Sequence, residues 1–249
     1  MSSRGNRIVK NLLATLFWVA VWYLLAVSVD NFLLLPTPAQ VLRRWWELAG
    51  TETFWQITVV SIGRILLGAV SAMVLGVMLA LLTTAGSVAD ALVAPLMTAI
   101  QATPVASFAI LVLIWLERDL VPVLICGMMV LPVVWSNVCA GIRSVDPQLL
   151  EMAKVYRLSR ARVLIRIYVP TVLPYFRAAC SSALGLGWKA GIAAEVLTVP
   201  KDSIGRMISE SKLYLLTEDL FAWTLTVVVL SLVLQKLVLR LIRGRDDHA

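Results

Sequence analysis

The chain has 249 residues, of which 60% are hydrophobic and 15% charged, and its formal net charge is +7. Water-soluble domains average about 45–50% apolar and about 25% charged residues, so this composition excludes an ordinary soluble domain. The apolar residues lie in long runs, which is typical of membrane-spanning helices. One polytopic transmembrane domain over residues 1–249 accounts for the whole length.

The basic charge indicates orientation in a membrane rather than nucleic-acid binding, because the cations cluster between and beside the apolar runs. Cys126, Cys139 and Cys180 fall in or beside those runs without CxxC spacing, so we interpret them as small apolar residues. His248 is the lone histidine and has no partner residues for a zinc site. We therefore expect no metal site.

The first apolar run, Leu12–Val29, has the features of either a signal peptide or a first span. Ala26 and Ser28 offer small residues at cleavage-site spacing, but the run is longer than the ~7–15 residues of a signal-peptide core. A retained span is therefore favoured. Two prolines end this span, and Pro38–Trp46 is predicted to form an interfacial helix with tryptophans suited to the headgroup boundary.

The second span, at about Ile57–Leu82, carries a small residue at every fourth position: Gly68, Ala72, Gly76 and Ala80. Such a stripe lets a neighbouring helix backbone approach closely. It predicts helix packing in a bundle rather than a ligand site.

Four further spans follow in the hydropathy pattern. They are predicted at about Leu92–Leu116, Val121–Ala140, Val172–Ala194 and Phe221–Ile242. Pro104 interrupts the third span, and Glu117–Asp119 is predicted to form a polar turn after it. With about six transmembrane helices, the positive-inside rule predicts that both termini are cytoplasmic.

The cytoplasmic loop between the fourth and fifth spans, residues 143–170, is predicted to form two short helices. Asp146 suits the N-cap and Pro147 the first position of one helix. Its apolar face is formed at helical spacing by Leu149, Leu150, Ala153 and Tyr156. Ser159 suits the cap of a second helix that ends before Pro170. Short helices with a small apolar face suit docking into a groove of a soluble partner.

This loop resembles the EAA loop of bacterial binding-protein-dependent ABC importer permeases. That loop reads Glu-Ala-Ala, three variable residues, glycine, and later a hydrophobic-x-hydrophobic-Pro close. Glu151-Met152-Ala153, Ser159 and Val169-Pro170 stand at matching spacing, and Arg157 stands where the family has the glycine. Because arginine disfavours a left-handed backbone, we expect a differently shaped turn between the two helices.

The resemblance extends from about Leu35 to the sixth span, and it points to the nitrate/sulfonate/taurine-type branch. The matching pieces are Leu35-Pro36-Thr37-Pro38, Ser61-x-x-Arg64-x-x-x-Gly68, Pro95 with Pro104, Leu173-Pro174, Trp188 with Ala194-Glu195, and Ser203-Ile204-Gly205. Their common order and spacing carry the resemblance. The identity of the substrate does not follow from them.

The resemblance implies an all-α type I ABC importer permease fold in the bacterial inner (cytoplasmic) membrane. Two permease subunits, most simply a homodimer, would line a path in contact with lipid. A pair of ATPase subunits would bind the two loops, and an extracytoplasmic binding protein would deliver the substrate. The implied ATPase-coupling residues are Leu150, Glu151, Ala153, Tyr156, Arg157, Ser159 and Pro170.

The sequence contains no G-x-x-x-x-G-K-[ST] phosphate loop. We therefore predict that the chain is not an enzyme, has no catalytic residues and holds no cofactor, and that ATP and magnesium bind the partner ATPase. Ion-gradient-driven carriers are the main alternative class, but their internal repeats are not seen here. A membrane scaffold without transport activity would not need the broken third span.

Ionisable residues within spans are costly and are functional candidates by default. Arg64 and Arg177 lie near span ends, where long side chains reach the interface. Lys189 lies deeper, and we expect it either to pair with Glu195 or a neighbouring helix, or to join Arg64 in giving the path a positive potential for an anionic substrate. Arg64, Lys189 and Glu195 are therefore the candidate translocation-path residues.

Residues 196–218 are predicted to form an external element after the fifth span. Pro200 and Gly205 are expected to break it, so that its apolar end returns into the membrane as a gate. An amphipathic helix on the membrane surface is the alternative.

Overall fold

The computed structural model describes residues 2–29, 31 and 34–243, and these residues form eleven α-helices and one π-helical turn. In chain order they are α1 (Ser2–Val29), α2 (Pro38–Ala49), α3 (Glu52–Ala85), α4 (Ser87–Ala102), α5 (Val105–Val112), α6 (Val121–Arg143), α7 (Pro147–Val155), α8 (Arg160–Val163), the π-helical turn Leu164–Tyr168, α9 (Val169–Thr198), α10 (Ile204–Leu213) and α11 (Thr217–Arg243). His248 lies outside the described residues.

Helices α3, α6 and α9 form the centre of the bundle. Helix α3 runs parallel to α6: the thiol of Cys126 donates to the carbonyl of Ile65 at 3.3 Å, and the indole of Trp135 donates to the Thr83 hydroxyl at 3.1 Å. Helix α9 runs antiparallel to both, so its last turns meet the first turns of α3. The loop 143–170 therefore lies at the same end of the bundle as the C-terminus of α3.

The predicted small-residue stripe is confirmed as a packing surface. All four of its members are buried, and the stripe lies against α6. A Cβ atom at Gly68 would overlap the carbonyl oxygen of Val123, so glycine is needed for the observed approach of the two backbones.

Four described helices are long and apolar enough to cross a membrane, and a bent pair is a further candidate. The four agree with the predicted second, fourth, fifth and sixth spans. The apolar part of the first run, Leu13–Val29, is a shorter helix. The described residues therefore contain four or five candidate spans by length and composition.

The third predicted span differs from a straight helix. Helices α4 and α5 meet at an angle of 102° across Thr103 and Pro104. Proline lacks an N–H group and biases the residue before it toward extended backbone, and Thr103 is extended with φ −74° and ψ 124°. The chain then turns over residues 113–120 instead of continuing as a helix to Leu116.

The prediction that the second loop helix ends before Pro170 is wrong. Residues Arg160–Thr198 form one continuous 39-residue helix that includes the π-helical turn and Pro170. The N–H of Val169 bonds to the carbonyl of Leu164, five residues back, so the hydrogen-bond register shifts immediately before the proline. Pro170 directly follows this register shift, which accommodates a residue without an N–H inside the continuous helix.

Helix α2 forms where it was predicted, and a capping box fixes its start. The Thr37 hydroxyl accepts from the backbone of Gln40, whose side chain accepts from the Thr37 N–H at 2.8 Å. At the other side of this helix, Arg44 forms an ion pair with Asp219 at the start of α11, and this contact raises the pKa of the arginine. Helix α2 is therefore fastened to α11.

Candidate functional site

The loop 143–170, hereafter the coupling segment, begins with the helix that the sequence predicted. The Asp146 carboxylate accepts from the N–H of Gln148 at 2.8 Å, and Pro147 opens α7. Ser159 stands at the N-cap of α8, but its hydroxyl makes no capping bond. The first predicted cap is confirmed, and the second is confirmed in position only.

The turn between α7 and α8 corrects the expectation for Arg157. This residue adopts the left-handed conformation with φ 48°, as a glycine would. The Leu158 N–H bonds to the Ala153 carbonyl at 2.9 Å, and the Arg157 N–H bonds to the Lys154 carbonyl at 3.0 Å. These are the two bonds of a Schellman turn, and they offset the roughly 1–2 kcal/mol that a left-handed arginine costs.

The apolar side chains of α7 divide into two faces. Leu150 and Ala153 pack inward, with Val145, Leu158 and Ile167, in a small core of the coupling segment. The other face is exposed and is formed by Leu149, Met152, Val155 and Tyr156. Met152 and Val155 were not predicted as members of this exposed stripe. The spacing of Leu149, Met152 and Tyr156 (i, i+3, i+7) is typical of one helix face and could have indicated Met152.

The other members of the predicted coupling set lie on the outside of the segment. Glu151, Ser159 and Pro170 are exposed, as is Arg157. The coupling set therefore contains two residues that support the segment from inside, Leu150 and Ala153, and five that present their side chains outward.

At the opposite end of the bundle, Glu195 belongs to a buried polar cluster. Its carboxyl is 0% exposed, accepts from the Ser61 hydroxyl at 2.9 Å and accepts from the Gly205 N–H at 3.1 Å. The Ile204 N–H donates to the Ser61 oxygen at 2.9 Å. The first N–H groups of α10 are thus bound by Ser61, which is distant in sequence, and by Glu195 at the end of α9, in addition to the local cap from Ser203 to the Arg206 N–H at 3.1 Å.

Gly205 lies inside α10, so the prediction that it breaks this element is wrong. A Cβ atom there would overlap the Cβ and backbone of Glu195. Glycine is required because the first turn of α10 lies directly on α9. The break before α10 occurs instead at Val199–Ser203, next to Pro200, which agrees with the prediction for the proline.

Arg64 joins this cluster from its edge. Its guanidinium donates to the Asp119 carboxylate at 2.9 Å and to the Lys201 carbonyl at 2.8 Å, and it lies 4.0 Å from Glu195. The Asp119 carboxylate also accepts from the Lys201 N–H at 3.1 Å. Arg64 therefore links two turns, Glu117–Asp119 and the turn before α10, to the N-terminal half of α3.

Lys189 and Glu195 do not form the predicted pair. Glu195 is buried toward α3 and α10, whereas Lys189 is exposed and has no ion-pair partner among residues 2–29, 31 and 34–243. Six residues along a helix correspond to about 600° of rotation, so the two side chains point to different sides. The exposed face that bears Lys189 also carries Ala178, Ser182, Leu186 and Ala193.

A bundle of apolar helices with a basic, partly exposed loop is compatible with several membrane proteins, and the family comparison decides between them. The family model for binding-protein-dependent transport system inner membrane components matches residues 72–245. The chain belongs to this family. It is a transmembrane permease subunit of an ABC transport system in the inner membrane, and it is not the ATPase.

Curated relatives agree with this assignment at about one quarter identity. The permease is 25% identical to the taurine transport system permease protein of Escherichia coli over 87% of this chain and 81% of the relative. It is 28% identical to an E. coli permease named for aliphatic sulfonate transport, over 88% and 81%. It is 26% identical to the nitrate import permease protein of Leptolyngbya laminosa, over 78% and 72%.

Family membership also sets aside the two alternatives from the sequence. An ion-gradient-driven carrier and a scaffold without transport activity both lack the partners that a binding-protein-dependent system requires, namely an ATPase and a binding protein. The resemblance noted in the sequence to the nitrate/sulfonate/taurine branch is confirmed by the relatives.

Proposed function

We propose that this permease works in import, and that its coupling segment docks on the ATPase subunit. The observation that carries this proposal is the exposed apolar stripe of α7, Leu149, Met152, Val155 and Tyr156. The segment around the stripe is rich in cations and so belongs in water, where four neighbouring apolar side chains are costly unless a partner covers them. An amphipathic helix that fits a groove is a recurrent docking mode.

Each predicted coupling residue has a role in this proposal. Tyr156, Glu151, Arg157 and Ser159 face the ATPase, whereas Leu150 and Ala153 hold α7 against the rest of the segment. Pro170 lies where the segment joins the long helix, so a push on α7 passes into α9. Nucleotide and magnesium stay on the ATPase.

The proposed topology has six spans, with α1 and the bent pair α4–α5 each counted as one, and with both termini in the cytoplasm. Support comes from the bundle itself. The coupling segment lies at the same end as the α3–α4 turn, where Arg143 pairs with Asp90 at 3.2 Å. Trp22, near the C-terminal end of α1, stacks on Phe221, near the N-terminal end of α11, at the opposite end of the bundle. The N-terminal end of α1 and the C-terminal end of α11 therefore lie toward the coupling segment.

The proposed assembly is a homodimer that pairs along α9 and encloses the path. The exposed face of α3 carries large aliphatic side chains such as Leu67 and Val74, which suit lipid. The exposed face of α9 carries three small residues, Ala178, Ser182 and Ala193, together with Leu186 around Lys189. Small residues and an intramembrane cation suit a helix that faces a partner or a water-filled path rather than lipid.

Lys189 is proposed to give this path a positive potential for an anionic substrate, as sulfonates and nitrate are. Arg64 and Glu195 are proposed to hold the external gate, residues 196–218, closed at the end of the path. This role rests on their bonds to α10 and to the turn before it.

The docking proposal is tested by replacing one tyrosine at each end of the bundle. Tyr156 and Tyr214 are 73% and 68% exposed, and each is the last residue before a left-handed turn. Tyr156→Glu should abolish co-purification of the ATPase and ATP-dependent uptake, because it places a charge in an apolar contact. Tyr214→Glu adds the same charge at the opposite end of the bundle and should preserve co-purification of the ATPase, whatever its effect on uptake through the external gate. Retention of the ATPase by Tyr156→Glu would refute the docking.

The path proposal is tested by uptake of nitrate and of a sulfonate into vesicles. Lys189→Met should lower uptake by about tenfold, the equivalent of about 1.4 kcal/mol, without changing expression. Lys236→Met removes an exposed cation from α11, outside the proposed path and gate, and serves as the control. Equal uptake by the two variants would contradict the role of Lys189.

A further inference from the structure

Three cations of the coupling segment surround one cavity. Lys154, Arg157 and Arg160 line a groove of about 900 Å³ between α7 and α8. Its other lining residues include Ala153, Leu158 and Val163, which give it an apolar floor. The groove thus combines an apolar floor with a cationic rim.

These cations have no acidic partners in the part of the chain that the structure describes. The coupling segment contains six cations and two acids, Asp146 and Glu151. Arg143 pairs with Asp90, but Lys154, Arg157 and Arg160 form no ion pair among residues 2–29, 31 and 34–243. Three like charges around one groove repel one another, and an acidic occupant would reverse the sign of that interaction.

Arg157 at the rim of this groove has a left-handed backbone, but the strain of that backbone is not by itself evidence of a binding site. Leu215 occupies an equivalent left-handed turn at the end of α10, so a strained non-glycine residue is not by itself a sign of function. The difference lies in the side chain. At Arg157 the left-handed backbone places an exposed cation beside two others at the groove, whereas Leu215 supplies an aliphatic side chain.

We propose that the groove recognises an acidic patch of the ATPase subunit, and that Arg157 is the residue that makes this permease selective for an ATPase carrying that patch. This inference rests on the docking proposed above. The groove lies on the other side of α7 from most of the exposed stripe, but Arg157 at its rim directly follows Tyr156, the last residue of that stripe, and both are exposed. A partner that covers Tyr156 therefore meets the Arg157 end of the groove, and charge complementarity across an interface mainly governs partner choice and association rate.

The competing occupant is an anionic lipid. The groove shares Leu164 and Tyr168 with an apolar cavity of about 620 Å³ between the ends of α3, α6 and α9. An acyl chain in that cavity would bring a phosphate toward the cations. The ATPase is favoured because Arg157 and Tyr156 are consecutive exposed residues, so a partner docked on the stripe reaches the cationic rim at Arg157. Lipid binding is the alternative outcome of the test.

The test measures binding of the purified ATPase subunit to the full-length permease in nanodiscs of neutral phosphatidylcholine. Arg157→Gly removes the guanidinium and keeps a residue that favours the left-handed turn. Leu215→Gly makes the same backbone change at the matched turn. We expect about tenfold weaker ATPase binding for Arg157→Gly in low salt, a smaller loss of affinity on adding salt, and wild-type binding for Leu215→Gly. Arg157→Lys should restore most of the affinity.

The outcomes separate this inference from the proposed docking. If Tyr156→Glu abolishes binding but Arg157→Gly retains both the affinity and its salt dependence, the acidic-patch inference is overturned and the docking stands. If neither variant weakens binding, both fail. If Arg157→Gly weakens binding only in nanodiscs containing an anionic lipid, the groove belongs to that lipid and the inference is overturned.

Discussion

Helices α7 and α10 end in the same turn at opposite ends of the bundle, and neither turn contains glycine. Arg157 and Leu215 both have left-handed φ values, 48° and 56°. Each turn is closed by a bond from the next N–H to a carbonyl five residues back, at 2.9 Å in both cases. Since the backbones match, the surroundings of the two turns account for any difference in role.

The starts of the two helices differ where their ends agree. Helix α7 begins in a local cap: Asp146 binds an N–H two residues away. Helix α10 also has a local cap, Ser203 to the Arg206 N–H, but its first two N–H groups are bound in addition by buried Ser61 and Glu195. Helix α10 is therefore fixed by the bundle itself, whereas α7 is held only by its own segment and keeps one apolar face exposed for a partner.

The largest effect should come from filling the contact under α10. Gly205→Ala should destabilise the permease by about 3 kcal/mol or more, because its Cβ overlaps the Glu195 backbone and α10 must move away. Gly63→Ala, at a glycine with no atoms near the added Cβ, should leave the melting temperature in detergent unchanged or slightly raised. Similar melting temperatures for the two variants would show that α10 is not fixed on α9.

The two helix starts should differ by a smaller amount. Glu195→Ala leaves the Gly205 N–H and the Ser61 hydroxyl without their acceptor in a buried place, so we expect a loss of about 2–4 kcal/mol. Asp146→Ala removes an exposed cap and should cost about 1 kcal/mol. Thermal unfolding of both variants measures the two losses of stability. An equal cost would contradict the contrast between a buried and a local cap.

The smallest effect should be shared by the two matched turns. Arg157→Gly and Leu215→Gly each relieve a left-handed side chain, and each should stabilise the protein by about 0.5–1 kcal/mol after the entropy cost of glycine. For a chain of this size, 1 kcal/mol corresponds to a rise of roughly 2–4 °C in melting temperature. A rise for only one variant would mean that the two backbones are not equivalent.

Much of the fold could be predicted because the signals are local. The spans from α3, α6, α9 and α11 follow from runs of apolar residues, and the start of α7 follows from Asp146-Pro147. The small-residue stripe of α3 also predicted its packing surface correctly. The break at Pro104 was foreseen, but its angle of 102° was not, since a proline fixes where a helix breaks and not how the two parts pack.

The candidate sites were less predictable because they depend on partners distant in the chain. Ser61 and Glu195 are 134 residues apart, so the sequence could offer only Lys189, six residues away, as a partner for the acid. The inward packing of Leu150 and Ala153 likewise depends on Ile167. Which apolar face of α7 stays exposed could therefore not be read from its periodicity alone.

The sequence by itself determined that this is a membrane-embedded, all-helical chain without a phosphate-loop motif, because hydropathy and motifs are properties of composition and order. Only the tertiary structure decided the left-handed turn at Arg157 and the separation of Lys189 from Glu195. At Arg157, the two hydrogen bonds of the turn and the packing of Leu158 in the core of the segment outweigh the preference of arginine against a left-handed backbone. At Glu195, hydrogen bonds from Ser61 and from the start of α10 outweigh pairing with the nearest opposite charge.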